Sequence, residues 1–223
     1  MSQSQQELSK IYHRRFARTA AYRNRVWQVL TGRFFNRWVP AGATVLDLGC
    51  GYGEFINNIP AGRKLAMDLN PDAPAHLAQG VEFLHQDSSA KWPLPDNQLD
   101  LVFTSNFFEH LPDKECLNRT LQNALRCLKP GGRLIALGPN IKYLHGIYWD
   151  FYDHQVYLTE SSLGEAMELA GFQIEVIKPR FLPFTMVQAP EYPMFFVRLY
   201  LALPLLWRIY GRQFLLVARK PAV

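Results

Sequence analysis

The chain has 223 residues, 48% hydrophobic and 13% aromatic, enough apolar content to bury a full core, which excludes a disordered polymer and points to one domain with appendages. No run approaches the roughly 20 apolar residues that span a bilayer, and the opening MSQSQQELSK has no apolar core behind a basic end, so a cytoplasmic protein without a cleaved signal is expected. The net charge of +5 is uneven: residues 1–40 hold eight Lys or Arg and one Glu, and the rest 16 bases and 18 acids. The basicity therefore belongs to an N-terminal arm, open to contact with phosphate, anionic lipid or an acidic substrate, or to plain solvation.

The predicted elements start with that arm. In IYHRRFARTAAYRNRVWQVLTGRFFNRWV, Tyr12, Arg15, Phe16, Tyr22, Val26, Trp27, Leu30 and Phe34 recur near helical spacing with Arg between them. Residues 1–40 are expected to form a helical arm that folds back over the rest as a lid. Five short apolar runs follow, ATVLDL, RKLAMDL, VEFLHQD, LDLVFTS and RLIALG, each ending in polar or glycine residues. Between the last two, Leu117, Leu121, Leu125 and Leu128 mark a helix that Lys129-Pro130-Gly131-Gly132 ends. SSLGEAMELAG reads as a helix, FQIEVIK as a strand and RQFLLVARK as a last edge strand. Strands buried on both faces and alternating with helices predict an α/β fold with a parallel sheet over residues 41–223.

Residues 190–211 stand apart. EYPMFFVRLYLALPLLWRIYG is charge-free between Arg198 and Arg208 and broken by Pro204, too short and interrupted to cross a membrane. An interfacial helix, a dimer interface or a lid over a greasy acceptor all suit it, beside ordinary burial. Cys50, Cys116 and Cys127 lack metal spacing, and reduced thiols are expected. The last two, if on one helix, lie about 16 Å apart, too far to bridge.

VLDLGCGYGEF, residues 45–55, turns a strand into a helix through Gly49, Gly51 and Gly53. Such a turn lets backbone N–H groups and a helix N-terminus approach a polar ligand without Cβ interference. A dinucleotide turn needs its third glycine one residue later, where Glu54 stands, so NAD does not fit. Asp68 falls 19 residues after Gly49 at the end of the second strand, where a carboxylate accepts both ribose hydroxyls. Asp47 precedes the turn, able to order its amides and hold a ligand ammonium, or merely to cap it. Ligands on such sheets lie beyond the carboxyl ends of the strands, so the turn, Asp68 and Asp87 face one crevice. Cys50 is expected to fill the turn and offer its backbone.

VLDLGCGYG followed by AMDLN, HQDSS and SNFFEHL resembles the class I S-adenosylmethionine-dependent methyltransferases over residues 44–140. The resemblance implies a Rossmann-like, seven-stranded, mostly parallel sheet with the last strand antiparallel and helices on both faces. It implies S-adenosylmethionine as cofactor, S-adenosylhomocysteine as product, and a cofactor site of Asp47, Gly49, Cys50, Gly51, Asp68, Leu69, Asp87, Ser88 and Asn106. Gly49 and Gly51 would meet the methionine moiety, Asp68 the ribose, and Asp87 with Ser88 the adenine amine. An N-terminal helix often closes the pocket in this family, which adds Tyr12, Phe16 and Trp27, with Arg15 beside them. GPNIKYLHGIYWDFYDHQVYLTESSLGEAMELAGF is similar to methyltransferases encoded among bacterial polysaccharide and glycosyl-transfer genes, which implies a sugar or lipid-linked sugar acceptor.

Methyl transfer from a sulfonium is an in-line displacement, so alignment and exclusion of water do most of the work. An alcohol acceptor gains from a base, and His154, in the acceptor-side segment 141–160, is favoured over His110. Glu109 is expected to hold the loop or its histidine. Asp150, Asp153 and His154 invite a metal, but the interleaved aromatics fit an acceptor wall better and no metal is expected. The expected partners are a small-molecule or glycan acceptor, peripheral contact with the inner membrane face and a second copy of the chain. A nucleic-acid methyltransferase, suggested by the basic arm, is the enzymatic alternative, although SNFFEH stands where a Pro-Pro-aromatic motif would be. A non-catalytic cofactor-binding subunit is the other.

Overall fold

The computed structural model describes Lys10 and residues 17–184 and 190–222. The apolar runs form seven strands: β1 (Thr44–Leu48), β2 (Arg63–Asp68), β3 (Val81–His85), β4 (Leu99–Ser105), β5 (Leu128–Pro139), β6 (Gln173–Lys178) and β7 (Gln213–Arg219). They pair in the order β3-β2-β1-β4-β5-β7-β6. The first five are mutually parallel, and β7 runs antiparallel to both of its neighbours. The Rossmann-like sheet expected from the motifs is the one observed.

The expected edge strand is a correction. β7 lies inside the sheet, between β5 and β6, and β6 is the edge. Its residues from Gln213 to Ala218 are all buried, whereas β6 alternates between exposed and partly buried positions. A continuously apolar run reflects cover on both faces, and an alternating one reflects a solvated face.

Helices cover both faces. α1 (Ala20–Arg33), α2 (Glu54–Asn58), α5 (Met194–Ala202) and α6 (Pro204–Tyr210) share one core with Val45, Phe103 and Ile135. α3 (Lys114–Cys127) and α4 (Glu160–Leu169) share the other with Leu46, Val102 and Leu134. Adjacent strand residues thus feed opposite cores. In α3, Leu117, Leu121 and Ala124 are buried at helical intervals, and the Asp113 carboxylate caps the helix by accepting from Cys116 N at 2.7 Å. α4 begins with a reciprocal capping box between Thr159 and Ser162.

The arm is continuous with the domain core. Phe55 stacks on Phe103 at 3.6 Å, Trp27 packs edgewise on both, and Phe34 stacks on Phe181 at 4.5 Å. All three cysteines are free and buried, with Cys116 and Cys127 both on α3. No helix among the described residues is long and apolar enough to cross a membrane.

Candidate active site

The glycine turn is locked from within. Gly49, Gly51 and Gly53 have φ of 68°, 54° and 73°, a region where a Cβ is strained. The N–H groups of Gly49 and Cys50 donate to Met67 O at 2.9 and 3.1 Å, that of Gly53 to Cys50 O at 2.8 Å, and that of Gly51 to Asp68 Oδ2 at 2.8 Å. The Gly49, Cys50 and Gly51 amides thereby fix the turn against β2. The glycines provide space. A Cβ on Gly49 would run into the Phe107 ring, and one on Gly53 would come within 2.6 Å of Leu77.

Three carboxylates gather around this turn. Asp47, Glu54 and Asp68 are all buried, at 4%, 9% and 8% exposure. Burial pushes the Asp47 carboxyl well above its ordinary value; the bond from Ile56 N opposes this, and the charges of Glu54 and Asp68 add to it. Burial also raises Asp68, against the bonds it accepts from the N–H groups of Asn70 and Gly51. Arg23 of α1 pairs with Glu54 at 2.9 Å, both side chains largely buried. Sequence reading treated Glu54 only as a missing glycine, and nothing in the spacing linked it to Arg23.

The other strand ends place their residues unequally. Leu69 is 44% exposed beside buried Asp68, and its carbonyl lies 3.1 Å from His85 Nε2. Asp87 is exposed, with its carboxylate bound to Ser89 N and Oγ at 2.8 and 2.9 Å. The Ser88 hydroxyl faces Thr120 of α3 at 3.0 Å and its carbonyl accepts from Trp92 Nε1, so its side chain serves helix packing. Asn106 takes φ 51° with its N–H on Leu137 O, an unusual backbone state that aims the loop after β4. Trp27 is buried among Phe35, Phe55 and Phe103, so aromatic packing accounts for its position. Burial pushes the Cys50 thiol far up, which disfavours the thiolate form. Tyr12, Arg15 and Phe16 lie outside the described residues.

The two histidines meet across 44 residues of sequence. The segment after β5 returns to the loop after β4, where Gln155 N and Val156 N both donate to Glu109 O at 2.7 and 3.1 Å. This brings the His110 and His154 rings to 5.0 Å. His110 Nδ1 lies 3.2 Å from Asp153 Oδ2 and 3.2 Å from Asp153 O. His154 stacks on Phe151 at 4.9 Å and packs on Tyr148 at 4.4 Å. Glu109 is buried and its carboxyl is pushed up to about 7 by burial, against the charge of His110. For His110, burial lowers the pKa, but the Asp153 bond and the Glu109 charge outweigh it and the net direction is up. Ligand atoms of Glu109, His110 and His154 come within 4.8 Å of one another, a different trio from the Asp150, Asp153 and His154 weighed from sequence. The charge of His110 also lowers the Asp68 pKa slightly, and both residues follow the carboxyl ends of parallel strands, β4 and β2.

A family model for the methyltransferase domain matches residues 14–176. The chain belongs to that family. A probable S-adenosylmethionine-dependent methyltransferase of Mycolicibacterium smegmatis is 32% identical over 142 residues, 60% of this chain and 54% of the relative. A ubiquinone/menaquinone biosynthesis C-methyltransferase of Pseudomonas fluorescens is 28% identical over 159 residues, 61% of this chain and 59% of the relative. The chain thus spans little more than half the length of these curated relatives. A methyltransferase from Archaeoglobus fulgidus superposes with a TM-score of 0.67 at 22% identity, over 92% of this chain and 99% of that one. A Haloferax volcanii complex of the Trm112 activator with a methyltransferase also gives 0.67 at 22% identity, over 92% and 95%. The family cofactor is S-adenosylmethionine. The crevice fits it chemically: buried carboxylates stand ready for a cationic ligand, the three glycines of the turn permit close approach, and exposed Leu69 offers an apolar surface for a flat base.

Proposed function

We propose that this methyltransferase transfers a methyl group to a hydroxyl of a small-molecule, sugar or lipid-linked sugar acceptor, working at the inner face of a membrane. When bound, S-adenosylmethionine supplies the methyl on a sulfonium. Asp68 would hold the ribose hydroxyls, and Asp47 with Asp68 would face the positive charge of the methionine end, easing the repulsion among buried carboxylates. Leu69 would lie against the base, with the Asp87 loop beside it.

The observation that carries the acceptor chemistry is the His110–Asp153 pair. Asp153 orients His110 through Nδ1, which leaves Nε2 to take the hydroxyl proton. His110 is preferred to His154 as the base, since Asp153 pairs with it while aromatic rings engage His154. Exposed Trp149, Tyr152 and Tyr157 supply flat apolar surface on the acceptor segment, suited to sugar faces and to apolar groups. In-line transfer needs only alignment, exclusion of water and this one proton acceptor.

Incubation with methyl-labelled cofactor and a panel of sugars, nucleotide-sugars and lipid-linked glycans tests the reading. Label in an O-methyl group supports it; label on a ring carbon, or in RNA alone, replaces the acceptor class. A calorimetric titration showing no heat with S-adenosylmethionine, with Asp68→Ala as control, would leave no enzyme to discuss.

A further inference from the structure

We infer that α5 and α6 dock on an anionic lipid bilayer, with a lipid phosphate seated in the arginine groove between α5 and α1. The inference deepens the membrane reading above and does not depend on which acceptor is methylated.

Two helices leave their large apolar side chains outside. Leu201 and Trp207 anchor them to the core, while Phe195, Phe196, Leu205, Ile209 and Tyr210 are 54–66% exposed. Inward packing therefore does not explain the outward residues, and contiguous apolar surface of this kind marks a contact site. Residues 192–212 contain Arg198, Arg208 and Arg212 and no Asp or Glu. An apolar stretch whose own charges are all arginine, with Glu191 just before it paired to Arg25, suits an interfacial helix on anionic lipid.

Beside this face lies a groove of about 470 Å³ whose lining includes Arg25, Arg33 and Arg198 together with Gly32 and Met194. Arg25 makes an exposed pair with Glu191 at 3.1 Å. Neither Arg33 nor Arg198 has a carboxylate partner among the described residues. Three guanidinium groups around one cavity repel one another, and a phosphate bound among them removes that repulsion. A lipid satisfies both features at once, its phosphate in the groove and its chains along the phenylalanines. A second copy docking through this same face would bring two arginine-bearing surfaces of like charge together, which argues for lipid over a dimer.

The topology gives the docking a consequence. β6 ends at Lys178, opposite Leu215, and β7 begins at Gln213, opposite the last residue of β5. The excursion carrying α5 and α6 thus leaves and rejoins the sheet at the carboxyl edge that bears the glycine turn and His110. Phe184, on the way out, packs edgewise on Phe151 at 5.4 Å, and Phe151 stacks on His154. Seating these helices on a bilayer would hold that edge of the sheet near the lipid surface.

Co-sedimentation with vesicles tests this, using phosphatidylcholine alone and phosphatidylcholine with about 30 mol% phosphatidylglycerol. The chain should pellet with the anionic vesicles only, and salt should weaken it. Phe195→Ser with Phe196→Ser, and separately Arg33→Glu with Arg198→Glu, should each weaken binding about tenfold or more, with unchanged circular dichroism. No pelleting with either vesicle, or equal pelleting of the variants, overturns the inference. So does stabilisation by inorganic phosphate without vesicle binding, or a dimer dissolved by the phenylalanine changes without vesicle binding. Cofactor titration on the same preparation reads the crevice separately, so the docking face fails or stands on its own.

Discussion

His110 Nδ1 and Asp153 Oδ2 lie 3.2 Å apart, joining the turn after β4 to the segment after β5. Asp153 thereby favours the charged imidazolium and raises the pH at which His110 loses its proton. A base works in its neutral form, so turnover should rise with pH along a limb above the ordinary histidine value of about 6.5. Asp153→Asn should move that limb to lower pH. His110→Ala should cost about 100-fold in kcat, and His154→Ala should act mainly on KM. A pH–rate profile of the three variants checks the assignment; an unmoved limb in Asp153→Asn removes it.

Glu109 should govern stability above neutrality. Its carboxyl titrates at about 7 in the fold against an ordinary 4.5, so folding holds its proton more tightly. That contribution is whole below about 4.5 and is lost as pH rises through about 7. Glu109→Gln should therefore match the parent near pH 4.5 and gain in Tm as pH rises to about 8, reaching a difference on the order of a few kcal/mol. Thermal melts across that range decide it, and parallel curves for the two proteins would contradict it.

Gly42 and Gly49 separate backbone strain from steric clash. Both have positive φ, but an added Cβ meets nothing within 4 Å at Gly42 and collides with Phe107 at Gly49. Gly42→Ala should cost about 1 kcal/mol with cofactor affinity intact. Gly49→Ala should cost roughly 2–4 kcal/mol and weaken cofactor binding, since Phe107 or the turn must shift. Denaturant melts and calorimetry on both variants provide the comparison.

Cofactor affinity should fall in acid. Asp47 and Asp68 both have raised pKa values from burial, and a cationic ligand needs their ionised forms. Lowering the pH from about 8 to about 5 protonates them at higher pH than ordinary carboxyls and weakens binding. Asp47→Asn should start weaker and show a flatter dependence. Equal slopes in calorimetric titrations would assign the effect elsewhere.

The sheet and the motif ends were legible because burial on both faces writes continuous apolar runs, and the strand-end acids repeat at intervals local enough to see. The place of β7 was not, since strand order depends on which edge accepts a partner. The Arg23–Glu54 and His110–Asp153 pairs span 31 and 43 residues of chain, and no local period encodes them. Trp27 sat on the right stripe, yet a stripe does not say whether its outermost ring meets ligand or core. The Ser88 hydroxyl was read as site chemistry because Thr120, its partner on α3, is 32 residues away. The partners of the glycine-turn amides were hidden for a related reason: Met67 and Asp68, which accept from Gly49, Cys50 and Gly51, lie on a neighbouring strand.

The interior position of β7 orders events during synthesis. β6 is made before it but pairs only with β7 in the finished sheet, and until β7 emerges the flank of β5 stays open to foreign strands. A nascent chain stalled between Pro139 and Gln213 therefore leaves the flank of β5 unpaired, a template for aggregation that β7 closes.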